Sequence, residues 1–392
     1  MPRTAVIGGG AAGFFLAINL KEMCPAMDVT IMERSRRVLA KVELSGGGRC
    51  NCTNAFRSVA DLQSVYPRGH RLMKRLFRTF DHRDAYRWFE QRGVRLVTQA
   101  DGCVFPASQD AHTIINLFLA EARRLGIAVK TEARVSSLDE LAGFDHVCVC
   151  TGGQPRREGL QWLGQPVEEP VPSLFTFSID DAALRSLMGT VVDAATVVLP
   201  GTKLRAQGPL LITHWGMSGP AILRLSSYGA RLLHDAGYRM PLVVNWTGRS
   251  EAETADELAG LCAHHGLKQL PTMRPFGMQQ RLWQYLLHKA LSGREHAPWG
   301  SLNKKEMNRL VNVLTADEYV IAGRAPFKDE FVTCGGVAVG AVSLQTLESK
   351  THPGLYFAGE VLDVDGVTGG FNFQAAWTTA YVVAQAIAAR YK

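Results

Sequence analysis

Nowhere do apolar residues run on for the roughly 18–20 positions that a membrane-spanning helix needs, so a helical membrane protein is not expected. The eight cysteines include no Cys-x-x-Cys pair, which removes the commonest redox and zinc signatures. Internal repeats, low-complexity tracts and heptads are also missing, which argues against solenoids and coiled coils. The first apolar run begins almost at Met1 and leaves no room for a removable signal peptide, so the expected compartment is the cytoplasm. What is present is 46% hydrophobic and 20% charged residues at a mean hydropathy of -0.02, the balance of a globular chain. Its 392 residues suit two or three domains. A formal charge of +7 and a pI near 9.0 permit attraction to an acidic partner without requiring one.

Two segments at opposite ends carry the chemistry. Val6-Ile7-Gly8-Gly9-Gly10-Ala11-Ala12-Gly13 sets a Gly-x-Gly-x-x-Gly turn between a short apolar strand and an apolar helix. Gly8 permits the turn, Gly10 lets backbone approach a pyrophosphate, and Gly13 lets the helix pack on the strand; Ala11 and Ala12 open the helix toward the anion. A second strand, Val29-Thr30-Ile31-Met32, ends in Glu33 beside Arg34, twenty positions after Gly13. A carboxylate there takes ribose hydroxyls and disfavours a 2′-phosphate, which argues against NADP at this first site and leaves NAD and FAD. Near the C-terminus, Leu355-Tyr356-Phe357-Ala358 reads as a late strand returning beside the cofactor, as flavoproteins commonly arrange. Gly359 is its turn and Glu360 a carboxylate reaching the ribityl chain, which favours FAD.

Three loops complete the expected cofactor site. Ser45-Gly46-Gly47-Gly48-Arg49 offers successive N–H groups and a guanidinium to phosphate or flavin carbonyl oxygens, with Lys41, Cys50 and Asn51 alongside. Thr151-Gly152-Gly153, after the strand ending at Cys150, lets backbone approach the dinucleotide. Gly369-Gly370-Phe371-Asn372 precedes an apolar helix beginning near Phe373, whose N-terminus suits the anionic edge of a reduced flavin. Asp363 and Asp365 read as capping or solvent-facing residues. Cys148 and Cys150 alternate as buried strand residues, whereas Cys50 and Cys52 lie in a glycine-rich loop and are the better redox candidates. His214 is the candidate proton handler, because imidazole titrates near physiological pH; a structural histidine is the alternative.

The organisation predicted is α/β. Residues 1–168 form the first part of a Rossmann-like FAD-binding domain, 169–250 an inserted β-barrel-like domain, 251–328 a helical subdomain with helices at Gln279–Leu291 and Lys304–Leu314, and 329–392 the rest of a discontinuous FAD domain. Between Arg68 and Arg95, Arg71, Lys74, Arg75 and Arg78 fall at helical spacing opposite Leu72, Leu76 and Phe80. That face is either a solvated amphipathic surface or a patch tracking the phosphates of RNA.

Four longer strings then coincide. Lys41-Val42-Glu43-Leu44-Ser45-Gly46-Gly47-Gly48-Arg49-Cys50-Asn51-Cys52-Thr53-Asn54, Thr213-His214-Trp215-Gly216-Met217-Ser218-Gly219-Pro220, Thr333-Cys334-Gly335-Gly336-Val337 and Gly366-Val367-Thr368-Gly369-Gly370-Phe371-Asn372-Phe373-Gln374 resemble the YhiN-like flavoproteins, also called BaiN-like or aminoacetone-oxidase-like. The resemblance spans nearly the whole chain and implies a discontinuous FAD domain with inserted barrel-like and helical parts. Members are linked to reduction of a uracil ring in ribosomal RNA, enone reduction and amine oxidation. Cys52, Trp215 and Trp377 depart from the commoner pattern and mark a divergent subgroup. The expected activity is that of an FAD-dependent oxidoreductase passing hydride from NAD(P)H, a transient reductant, to an unsaturated small-molecule acceptor. Reduction of a base in RNA, oxygen-dependent amine oxidation and flavin binding without catalysis stay open.

Overall fold

Short apolar runs bounded by glycine build a parallel sheet. In the computed structural model, which describes residues 1–325 and 332–392, β1 (Arg3–Ile7) is buried from Thr4 onward and leads through the Gly8–Gly10 turn into α1 (Ala11–Met23). Strands β2 (Asp28–Met32), β3 (Ala128–Lys130) and β4 (His146–Val149) follow. The boundary expected at 328/329 lies outside the described residues.

Two compact units emerge, one of Met1–Pro172 with Val332–Lys392, the other Ser173–Phe331. In the second, β5 (Phe177–Ile179), β6 (Val191–Val198), β7 (Arg205–Ile212), β8 (Gly216–Ser218) and β9 (Met240–Asn245) precede helices α2 (Gln280–Leu291) and α3 (Lys304–Thr315) and strand β10 (Asp317–Arg324). The six strands close into a barrel in the order β6-β7-β8-β5-β10-β9, every pair antiparallel. The helical stretch lies between neighbouring barrel strands β9 and β10 and shares their core: Trp283, Leu286, Leu310 and Leu314 belong to one cluster with Val197, Leu210 and Val244. Between the strand Val167–Ser173 and β5 the chain turns at Leu174, which takes φ 57°, and the Phe175 N–H donates to Ser226 Oγ at 3.0 Å.

In the first unit the chain returns as β11 (Leu355–Phe357) and α4 (Phe371–Ala388). The sheet order is β11-β4-β1-β2-β3, all parallel, so the late strand takes the edge beside β4. Helix α1 is buried on every side from Ala12 to Leu20, packed against α4, β2 and the helix His112–Arg124. Phe15 is its aromatic anchor, with ring centroids 4.5 Å from Trp88, 5.1 Å from Trp377 and 5.6 Å from Phe80. The basic helix is shorter than its spacing predicted: it spans His70–Leu76, and Arg78 stands in the turn beyond. Arg71, Lys74, Arg75 and Arg78 are nevertheless all exposed, and Leu72, Leu76 and Phe80 buried.

Candidate functional site

The three glycines of the N-terminal turn do different things. A Cβ on Gly8 (φ 114°) would lie 2.3 Å from Cys150 O, and one on Gly13 would lie 2.0 Å from Gly8 O, so both are required by close packing of α1, β1 and the β4 exit. A Cβ on Gly10 meets no atom within 4 Å: it faces open space at the start of α1. That helix has Gly10 as N-cap, no side chain capping it and no acidic residue in its first turn. The Ala11, Ala12 and Gly13 N–H groups sit where an α-helix leaves its donors unused, at the positive end of its dipole. A diphosphate fits that chemistry.

Glu33, at the end of β2, accepts from the Gly9 N–H through Oε2 at 2.8 Å and from the Ser35 N–H and hydroxyl through Oε1 at 2.8 and 2.7 Å. It therefore ties the glycine turn to the second strand, while Arg34 is exposed. Glu360 lies just beyond β11, where Gly359 (φ 79°) donates its N–H to Thr379 Oγ1 of α4 at 2.8 Å. Its Oε1 accepts from the Thr333 N–H at 2.9 Å and its Oε2 from Lys41 Nζ at 3.1 Å. Gly153 is held in this cluster, since a Cβ there would lie 2.6 Å from Glu360 Oε1; Gly152 (φ 73°) is beside it, and Thr151 is half-buried. No local pattern announces the Lys41–Glu360 pair, whose members are far apart in sequence.

The Ser45–Asn51 loop is more self-contained than predicted. Gly46, Gly47, Gly48 and Cys50 all take positive φ, but Ser45 O already accepts from the Gly48 and Cys50 N–H groups at 3.1 and 3.0 Å. The Gly48 donor expected to face an anion, and the neighbouring Cys50 N–H, are thus used inside the turn. The Arg49 guanidinium also turns inward: Nε donates to Gly46 O at 3.0 Å, Nη1 to Gln109 Oε1 at 3.3 Å, and its carbon lies 4.2 Å above the Phe105 ring. Arg49 braces the loop it was expected to extend from.

Opposite, α4 begins at Gly370 (φ 88°) without a side-chain cap or an acidic residue in its first turn. Its approach is tightly bound. Asn51, with its amide oriented to satisfy both ends, donates to Thr53 O at 3.1 Å and accepts from the Gly370 N–H at 3.2 Å. Asn54 Nδ2 donates to Gly369 O at 2.9 Å, Tyr66 OH to Phe371 O at 2.9 Å, and Asn372 exchanges two bonds with the Gly366 backbone at 2.8 and 2.9 Å. Asp365, read as capping or solvent-facing, is fully buried and clasped by both Nε and Nη2 of Arg68, the former at 2.5 Å.

Cys50 and Cys52 are fully buried, with their sulfurs 3.7 Å apart and unbonded. Burial, reinforced by the hydrogen bond with Cys50, pushes the Cys52 thiol well above its ordinary range and keeps it protonated at neutral pH. Iodoacetamide is therefore expected to leave both residues unlabelled in the folded protein and to label both in denaturant. Rapid labelling in the folded state, read by peptide mass spectrometry, would restore the redox reading.

In the second unit, His214 is exposed in the hairpin turn between β7 and β8, its ring 4.8 Å from Trp215. The turn is closed by Thr213, whose N–H donates to Gly216 O at 2.8 Å. His214 makes no hydrogen bond among the described residues, so nothing there holds its ring in one tautomer. A groove of about 590 Å³ between α2 and α3 contains none of the predicted site residues.

Residues 2–154 match the model of the HI0933-like protein Rossmann domain, and residues 171–332 that of the HI0933-like protein barrel and H2TH domain. The chain belongs to the HI0933-like family. Among its relatives are a 3-dehydro-bile acid delta(4,6)-reductase of Clostridium scindens, 27% identical with all of both chains covered, and a ribosomal RNA dihydrouridine synthase of Haemophilus influenzae, 27% identical over 97% of each. The fold is also similar to that of 3-ketosteroid delta1-dehydrogenase from Sterolibacterium denitrificans, at TM-score 0.50, 11% identity and full coverage of both chains. This HI0933-like chain is an FAD-dependent oxidoreductase, and its glycine turn and uncapped α1 fit the FAD diphosphate. Among the described residues no helix is long and apolar enough to cross a membrane.

Proposed function

We propose that this flavoprotein takes electrons from NADH or NADPH, binding as a transient reductant, and delivers them to an unsaturated acceptor. When bound, FAD supplies the two-electron chemistry, accepting hydride from the nicotinamide and passing it to a carbon–carbon double bond. The observation that carries the reading is the pair of uncapped helix N-termini in one unit, α1 behind open space at Gly10 and α4 behind the braced Gly366–Gly370 loop. In this reading the Ala11, Ala12 and Gly13 N–H groups hold the diphosphate. Glu33 orients the turn and takes ribose hydroxyls, and Glu360, fixed by Lys41 and Thr333, takes the ribityl chain. The Phe371 and Asn372 N–H groups place positive charge where negative charge gathers on reduction. Gly46, Gly47 and the Thr151–Gly152 backbone line the remaining approach. The relative named as a bile-acid reductase supports an unsaturated acceptor.

Anaerobic stopped-flow mixing of the purified yellow protein with NADH, with NADPH and with buffer tests the donor. Rapid bleaching by one nucleotide is expected. No bleaching by either would overturn the nicotinamide route and turn the search to oxidisable substrates. A second reading, reduction of a base in RNA, is favoured by the relatives named ribosomal RNA dihydrouridine synthase and by exposed Arg71, Lys74, Arg75 and Arg78.

A further inference from the structure

We infer that the groove between α2 and α3 binds the phosphodiester backbone of a single nucleic-acid strand. The groove holds about 590 Å³ and is open along one side. Two adjacent ridges of α3 line it, one carrying Lys304, Asn308 and Asn312 and the other Lys305 and Arg309. Residues four apart on a helix stand about 6 Å apart along its axis, so each ridge presents a ladder of donors rather than one charged point.

The charge on this face is surplus to the fold. Lys289, on the α2 side, is committed to the buried Asp317 and lies 4.1 Å over the Tyr319 ring. Glu306, the buried acid of α3, is committed to Arg294 at 2.8 Å and to the cap of its own helix. Among the described residues no carboxylate pairs with Lys304, Lys305 or Arg309, and all three are exposed. Lys304 and Lys305 occupy the first turn of α3, where the helix dipole disfavours cations. A local rule broken without a structural gain points to a ligand outside the chain.

The chemistry of the lining selects the ligand class. Lysine, arginine and asparagine side chains supply donors for phosphate oxygens, and no aromatic ring lines the groove to stack a base. A free nicotinamide nucleotide needs an enclosed pocket for its rings; an open ladder of donors suits a repeating anion. Recognition through backbone alone is blind to base identity, so RNA and DNA strands of equal length are expected to bind comparably. The inference rests on the groove itself and not on the reductase reading: strand binding without nicotinamide reduction, or the converse, would separate the two.

Fluorescence anisotropy of the holoprotein with a labelled single-stranded RNA oligonucleotide, across a salt series, tests it, with a DNA oligonucleotide of the same sequence as the second arm. Each cation withdrawn from phosphate should reduce the slope of log K against log salt by about 0.7, so Lys304→Gln, Lys305→Gln and Arg309→Gln together should flatten it by about 2 and weaken binding about tenfold or more. Flavin content and circular dichroism should stay unchanged. The charge-matched control Arg205→Gln, Arg239→Gln and Lys268→Gln should bind as the parent does. Absence of binding by the parent, an unchanged slope in the groove variant, or an equal loss in the control would overturn the inference. So would a slope flattened by Arg71→Gln, Lys74→Gln and Arg75→Gln but not by the groove changes.

Discussion

Gly10→Val is expected to yield a folded protein that purifies without flavin. Gly10 has φ −94° and ψ −166°, an extended conformation open to any residue, and its Cβ direction meets nothing within 4 Å. A valine there does no damage to the apoprotein. It fills the space in front of the α1 N-terminus and removes the approach a diphosphate needs. Loss of two or more charge-assisted backbone bonds at about 1.5–3 kcal/mol each corresponds to an affinity lower by roughly 10² or more. Visible flavin absorbance per protein should fall to the baseline while circular dichroism holds. Gly13→Ala is the contrasting control: its Cβ collides with Gly8 O, so it should lose fold and flavin together. A yellow Gly10→Val protein would show that the diphosphate lies elsewhere.

Arg68→Met should cause a large loss of stability. It removes the guanidinium that clasps Asp365, a carboxylate with no solvent exposure, and such a loss costs about 3–5 kcal/mol. That is a large part of the roughly 5–15 kcal/mol that holds a typical domain together. Asp365 opens the segment whose other end, Gly366–Asn372, leads into α4, so flavin retention should drop with the melting temperature. The double variant Arg68→Met with Asp365→Leu should regain much of the stability, because the buried charge leaves with its partner. A single variant that melts with the parent would show that the pair carries little of the fold.

How legible the site was depended on the reach of each interaction. The Gly8–Gly13 turn, the carboxylate after β2 and the glycine before α4 were readable because their requirements are local: positive φ, close approach and an open helix end. The helices expected at Gln279–Leu291 and Lys304–Leu314 were likewise visible in their 3.6-residue periodicity and form at Gln280–Leu291 and Lys304–Thr315. The direction taken by Arg49 was not readable, since whether a guanidinium meets a ligand or stacks on Phe105 depends on a residue brought in from another strand. The burial of Cys50 and Cys52 was hidden for the same reason: a glycine-rich loop is ordinarily exposed, and here Trp377 donates to Cys52 O at 2.8 Å and helps close over it.

The sequence by itself determined the parallel nucleotide-binding sheet, the return of a late strand to the first unit and the barrel-like insertion, which follow from apolar periodicity and from glycines at turns and close approaches, and it pointed to flavin through the two end segments and the family motifs. Only the tertiary structure decided that the inserted helices share the barrel's core, that Lys41 and Thr333 fix Glu360, that Arg68 neutralises Asp365 and that α2 and α3 leave a basic groove between them. Each of these joins residues distant along the chain, and no local preference encodes a contact that exists only once the chain has closed on itself.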